Sequence, residues 1–164
     1  NNMNELVLGI GGNKENRLFW LKKTADEIGR LIGNIEQFSP VVESEPWGFV
    51  SETWFLNQVL LVKTRFKAGE VIRLIHKIET ESGRVREGVY TDRNIDIDIL
   101  FFGNDIIRKE NLIIPHPKLH ERLFVLAPMA RFMPDFLHPV LRKNISELLA
   151  KCKDSTTYHW YSPD

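Results

Sequence analysis

Between Arg93 and Gly103 the chain reads RNIDIDILFFG, and two carboxylates, Asp96 and Asp98, stand two residues apart within a run of isoleucines. Residues so spaced on an extended strand share a face and sit roughly 6.5–7 Å apart. Carboxylates held side by side repel each other unless a cation lies between them. Arg84, Arg86 and Arg93 precede the pair, and His116, His120 and Arg122 follow it. A metal–phosphate site requires this mixture. Mg²⁺ takes one or two carboxylates and completes its octahedron with phosphate oxygens and water, while arginine binds further phosphate oxygens in bidentate fashion. Taken alone, D-x-D in a strand is an ordinary solvent-facing pair of acids; the surrounding cations turn the reading toward chemistry.

A glycine cradle is not the source of phosphate binding. GIGGNKENR (Gly9 to Arg17) follows an apolar run and opens a helix. It lacks both the G-K-[ST] ending of a nucleotide-binding loop and the G-x-G-x-x-G dinucleotide pattern. The glycines are therefore expected to form a tight turn.

The elements that must hold these residues follow from periodicity. ELVLGIGG is a short buried strand ended by its glycines. Leu18, Leu21, Ala25, Ile28 and Ile32 fall on one helical face, with a stop at Gly33-Asn34. IEQFSPVVESE is extended, with Pro40 consigning it to an edge or bulge. PWGFVSET is a loop and FLNQVLLVKTRF a second long strand. A helix follows with Val71, Leu74, Ile75 and Ile78 inward and Gly83 as its cap. GRVREGVYTD is a polar, basic loop. The next strand presents Ile95, Ile97, Ile99 and Phe101 on one face and the two aspartates on the other. A hairpin through Gly103-Asn104 leads into DIIRKENLII. Helical pieces interrupted by Pro128 and Pro134 come next, and a last short helix lies near Asn144 to Lys151. The order β-α-β-β-α-β with extra C-terminal elements is the split βαβ arrangement of an α+β sandwich: an antiparallel sheet with helices packed on one face. No linker or repeat divides the 164 residues, so a single domain over residues 1–164 is expected. Asn1 and Asn2, ahead of Met3, read as a cloning scar.

Composition narrows the function classes. Apolar residues make up 43% and charged residues 27%, a soluble globular balance. Lys+Arg and Asp+Glu both number 22, and this neutrality argues against a nucleic-acid binder. The single cysteine, Cys152, permits no internal disulfide and fits a reducing, cytoplasmic setting. No apolar run reaches the ~20 residues that span a bilayer, so no membrane association is expected.

The blocks RNIDIDILFFGNDII and LIIPHPKLHERLFVL, with GGN after the first strand, SEPWG (Ser44 to Gly48), FLNQV from Phe55 and IETESGRVR (Ile78 to Arg86), resemble in order and spacing the 6-hydroxymethyl-7,8-dihydropterin pyrophosphokinases of folate biosynthesis. The resemblance implies a ferredoxin-like fold. It also implies transfer of the β,γ-pyrophosphoryl group of ATP to the pterin hydroxymethyl, with AMP as the other product. On that likeness Asp96 and Asp98 would hold two Mg²⁺ ions, and Asp96 would also border the pterin. Arg84 and Arg93 would stabilise transition-state charge. His76, Glu79, Arg86, Tyr90, Ile99, Leu112, His116 and Arg122 match nucleotide-side positions. Ser44, Glu45, Trp47, Gly48 and Asn57 match the pterin-recognition positions, with Phe55 and Phe124 the aromatic pair that clamps the ring. Tyr90 stands where the family commonly has tryptophan, His76 where it has glutamine and Pro117 where it has tyrosine. ATP and the pterin are the implied partners of a monomer.

Two other classes use the same features. A metal-dependent phosphohydrolase would employ the aspartate pair to activate water. An RNA-binding module could be built on the same scaffold, since fold alone assigns no function, but the chain shows no RNP-type aromatic run on a strand.

Overall fold

A computed structural model describes residues 3–82 and 94–162. In chain order the elements are β1 (Asn4–Gly12), α1 (Arg17–Leu31), β2 (Asn34–Phe38), β3 (Val42–Ser44), β4 (Phe55–Thr64), α2 (Ala68–Glu81) and β5 (Asp96–Phe102). They continue with β6 (Ile107–Lys109), β7 (Leu112–Ile114), a 3₁₀ turn (Leu119–Glu121), α3 (Leu123–Ala130), α4 (Ile145–Lys151) and β8 (Tyr158–Trp160). The main sheet runs β5-β1-β4-β3-β8, with β2 also paired to β4, and its pairings are antiparallel. Strand β4 thus lies between β1 and β2, and β1 lies between β4 and β5. Each βαβ unit is split by a strand of the other, which is the expected ferredoxin-like arrangement.

Strand alternation decides what each layer covers. Leu6, Leu8 and Ile10 of β1, Leu60 and Val62 of β4, and Ile97 and Ile99 of β5 face α1 and α2. Those helices answer with Leu21, Ala25 and Ile28, and with Val71, Ile75 and Ile78. Val7, Val59, Leu61, Leu100 and Phe101 face the opposite way, onto Leu126 and Met129 of α3 and Ile145 and Leu148 of α4. Helices therefore cover both faces, whereas periodicity placed them on one. The central strands are buried on both sides and read as continuous apolar runs. Helix α3, apolar nearly all round, offers no stripe to announce its side.

Local departures have local causes. Leu6 pairs with Phe102 and Val7 with Phe101, but Leu8 pairs with Ile99, so Leu100 is an extra residue in β5. This bulge turns Phe101 away from the isoleucine face and onto the aspartate face. The turn at Gly103-Asn104 ends β5; the hairpin itself is β6–β7 in a separate two-stranded sheet. Pro128 lies inside α3 and does not interrupt it. Pro40 breaks the extended segment into β2 and β3, and β3 is covered by β8, which the sequence pattern did not reveal. Strand β1 continues through Gly11 and Gly12, so these glycines are strand and not turn. The α2 cap expected at Gly83 lies outside the described residues; Ser82 caps the helix.

Candidate active site

The α3 side of the sheet has a bare patch at one end. Gly9 and Gly11 share a face of β1, with Gly11 paired to Asn57 on β4 and to Asp96 on β5. A Cβ on Gly11 would overlap the Asn57 amide oxygen and stand 2.9 Å from the Leu56 carbonyl oxygen. Glycine is required there because Asn57 lies across it. The two glycines thus leave a floor between β4 and β5 bordered by Asn57, Asp96, Asp98, Leu100 and Phe124.

A pocket opens beside that floor, lined by Ser44, Glu45, Trp47, Phe49, Phe55, Asn57, Asp96, Arg122 and Phe124. Asn57 is 8% exposed, and its Nδ2 donates to Ser44 Oγ at 3.0 Å, which fixes the amide plane. Phe55, the first residue of β4, meets Phe49 edge-on with centroids 5.9 Å apart. The loop between β3 and β4 turns at Gly48, whose φ of 83° suits glycine. Trp47 on that loop donates its indole N–H to the Glu121 carbonyl at 3.2 Å. The Arg122 guanidinium, in a residue only 5% exposed, lies 4.6 Å from the Trp47 ring centroid and 5.6 Å from that of Phe124. Its Nη1 stands 3.8 Å from Asp98 Oδ2. A cation is thus already built in beside the aspartate pair, stacked between two rings.

Of the expected nucleotide-side residues, Glu79 and Ile99 lie on the other side of β5, against the α1/α2 core. Glu79 of α2 is 1% exposed and accepts the Ile97 N–H at 2.9 Å, so it anchors the backbone between the two aspartates. Ser82 Oγ donates to the Glu79 carbonyl, and Asn94 Nδ2 donates to that of Ser82. Ile99 is buried in the α1/α2 core, and Leu112 packs against that core from β7. His76 is exposed on α2. His116 follows β7, donates its backbone N–H to the Leu100 carbonyl and accepts the Lys118 N–H on Nδ1. Burial, helped by the Arg122 charge and opposed by Asp96, pushes its imidazole down to about 4. It is a neutral ring at physiological pH. His138 is buried, with Nδ1 accepting the N–H groups of Val140 and Leu141, and holds a loop together.

The fold thus gathers Ser44, Glu45, Trp47, Phe55, Asn57, Asp96, Arg122 and Phe124 at one pocket, with Gly48 on the loop above and Asp98 adjoining. Arg122, matched to the nucleotide side, lines this pocket. Glu79, Ile99, Leu112 and His76 lie behind or beyond β5. Arg84, Arg86, Tyr90 and Arg93 lie outside the described residues. Pattern reading missed Gly9, Gly11 and Phe49. Alternating glycines in one strand were the available signal, since Gly-x-Gly bares one face of a sheet; Phe49 in a loop had none.

The aspartates suit Mg²⁺. Among the described residues no group of three or more His, Cys, Asp or Glu side chains converges on one point. Two half-buried carboxylates on one strand face suit an ion that keeps water and phosphate as its remaining ligands.

A family model described as 7,8-dihydro-6-hydroxymethylpterin-pyrophosphokinase (HPPK) matches residues 7–134. A 2-amino-4-hydroxy-6-hydroxymethyldihydropteridine pyrophosphokinase of Aquifex aeolicus is 37% identical over 145 residues, covering 88% of this chain and 90% of that protein. Its Bacillus subtilis namesake is 35% identical over 130 residues, covering 78% of each. Among solved structures, wild-type Plasmodium falciparum HPPK-DHPS aligns with a TM-score of 0.73 at 18% identity, over 92% of this chain and 45% of that one. The chain therefore spans less than half of that larger protein, and at this identity the likeness speaks for the fold.

Proposed function

The chain belongs to the 7,8-dihydro-6-hydroxymethylpterin-pyrophosphokinase family, and we propose that it transfers pyrophosphate from ATP to 6-hydroxymethyl-7,8-dihydropterin, giving AMP and the pterin diphosphate for folate synthesis. One observation supports this placement above the rest: an aromatic pocket with a fixed amide, built from Phe55, Asn57 and Phe124, shares Asp96 with the carboxylate pair. A pterin is flat, polar at its edge and apolar on its faces. Phe55 and Phe124 take its faces, while Asn57 and the Ser44–Gly48 segment read its edge. The hydroxymethyl then points past Asp96.

Asp96 and Asp98 would hold two Mg²⁺ ions, which would supply neutralisation of phosphate charge for an in-line displacement. The chain's own residues do the rest. Arg122, stacked and desolvated beside Asp98, keeps a permanent positive charge where the transferring phosphates must pass. Arg84 and Arg93 stabilise transition-state charge, with Arg86 in support. Glu79 fixes the backbone between the aspartates, His76, Tyr90, Leu112 and His116 border the nucleotide, and Ile99, its side chain in the core, supports that side from behind. An aromatic pocket that seats the pterin hydroxymethyl beside the aspartates favours the pterin hydroxyl over water as acceptor, which separates transfer from hydrolysis. The enzyme acts as one domain and a monomer, without nucleic acid. No helix among the described residues is long and apolar enough to cross a membrane.

Phosphorus NMR of ATP, Mg²⁺ and the pterin tests the reading. AMP and a pterin diphosphate should appear together, in equal amounts and only when pterin is present. ADP, or phosphate release without pterin, points to the phosphohydrolase alternative.

A further inference from the structure

Helix α3 begins at the pocket, with Arg122 as its N-cap residue and no side-chain cap of its own. The missing acceptor comes from a distant part of the chain. Asp154 Oδ2 accepts the Leu123 N–H at 2.9 Å, and its Oδ1 accepts the Thr156 N–H at 2.9 Å. Leu123 lies between Arg122 and Phe124, the two pocket-lining residues of this wall. Three residues beyond Asp154 the chain reaches the opposite wall. The Thr157 carbonyl accepts the Glu45 N–H at 3.0 Å, and Glu45 Oε1 accepts the Thr157 N–H. Strand β8 then pairs Tyr158 with Ser44, whose hydroxyl orients Asn57. The family match ends at residue 134, so this strap lies wholly beyond it.

We infer that Asp154 is a positioning residue for the substrate pocket, fixing Arg122 and Phe124 relative to Ser44 and Asn57. Its carboxylate meets two N–H donors, one per oxygen, and sits at the positive end of α3, so both bonds are charge-assisted. The strap spans the walls that receive the pterin faces and edge. Loss of Asp154 should therefore loosen the pterin more than the nucleotide.

This inference rests on the pterin pocket proposed above, and its test separates the two. Asp154→Asn and Asp154→Ala are titrated calorimetrically with a non-hydrolysable ATP analogue and then with 6-hydroxymethylpterin, beside Phe124→Ala. Steady-state rates with the natural dihydropterin complete the comparison. Asp154→Ala should weaken pterin binding about tenfold, as expected for a lost charge-assisted hydrogen bond, and raise the pterin KM, with kcat falling as well because Arg122 shifts, while affinity for the ATP analogue alone stays within about twofold. Asp154→Asn, which keeps one acceptor, should fall between it and wild type, and it decides the matter if the alanine variant does not fold. Equal losses for both ligands, or an unchanged pterin affinity where Phe124→Ala weakens it, would overturn the positioning role alone. Unchanged pterin affinity in Phe124→Ala as well would overturn the pocket and this inference with it.

Discussion

Strand β5 turns Ile97 and Ile99, 2% and 5% exposed, into the core beneath α1 and α2, and turns Asp96 and Asp98, both partly solvated, toward the pocket beside α3. The buried face makes the polar face usable. Isoleucines locked in a packed core hold the backbone still, and the Glu79 carboxylate clamps the Ile97 N–H between the aspartates. Two carboxylates can then keep a set spacing despite their repulsion. A site built on a strand gains precision in this way that a loop could not supply. Each face should accordingly fail in its own manner when altered.

The largest effect belongs to the polar face. Asp96→Asn and Asp98→Asn should each reduce turnover by about three orders of magnitude or more, roughly 4 kcal/mol in the barrier, while circular dichroism and the urea midpoint stay near wild type. Asparagine creates no cavity and keeps an oxygen that can still face the buried Arg122 guanidinium, 3.8 Å from Asp98. A variant retaining more than about a tenth of the activity at saturating Mg²⁺ would dissolve the contrast between the faces.

The apolar face should show the reverse. Ile97→Ala removes packing from a core position and should cost about 2–5 kcal/mol of stability, measured by urea unfolding. A loss below about 1 kcal/mol would mean that β5 is not anchored as described.

Phe124→Ala lies on the pocket wall. Stacking of a heterocycle is worth about 1–3 kcal/mol, so pterin affinity should fall roughly ten- to a hundredfold with binding of an ATP analogue nearly unaltered. Phe55→Ala should match it and also lose stability, because Phe55 is buried at the start of β4. Equal weakening of both ligands would reduce these rings to supports of the fold.

The smallest effect is that of His116, whose imidazole is held down to about 4 by burial and the Arg122 charge. Its ring proton shifts should stay flat from pH 8 to about 5.5. Because the unfolded chain takes up this proton first, near pH 6.5, the contribution of His116 to stability is complete above that value. It is lost as pH falls from about 6.5 toward 4. A titration centred near 6.5 in the folded protein would contradict the burial argument.

Element order, the two long core strands and both amphipathic helices were legible because period and stop signals coincide there. The aspartate pair was legible for the same reason: polar residues breaking a period-two apolar run cannot be core. Phe101 was not, because a one-residue bulge at Leu100 reverses alternation without a mark in composition. The second helical layer was hidden because β1 and β4 are apolar on both faces and α3 is apolar nearly all round. Gly9 and Gly11 were visible but misread as a turn, since a strand floor and a turn use glycine for different reasons. Asp154 could not be found at all. Its role depends on a contact with Leu123, 31 residues away, and a lone aspartate carries no pattern.

The central claim is that phosphate and pterin meet on the aspartate face of β5. Mn²⁺ with a non-hydrolysable ATP analogue tests it most directly, read as paramagnetic broadening of backbone amides in the labelled protein. Broadening should centre on Asp96, Ile97 and Asp98, extend to Gly9, Gly11, Arg122 and Phe124, and vanish in the Asp96→Asn, Asp98→Asn double variant. Broadening centred elsewhere, such as the start of α1 at Arg17, or surviving unchanged in that variant, would contradict the account.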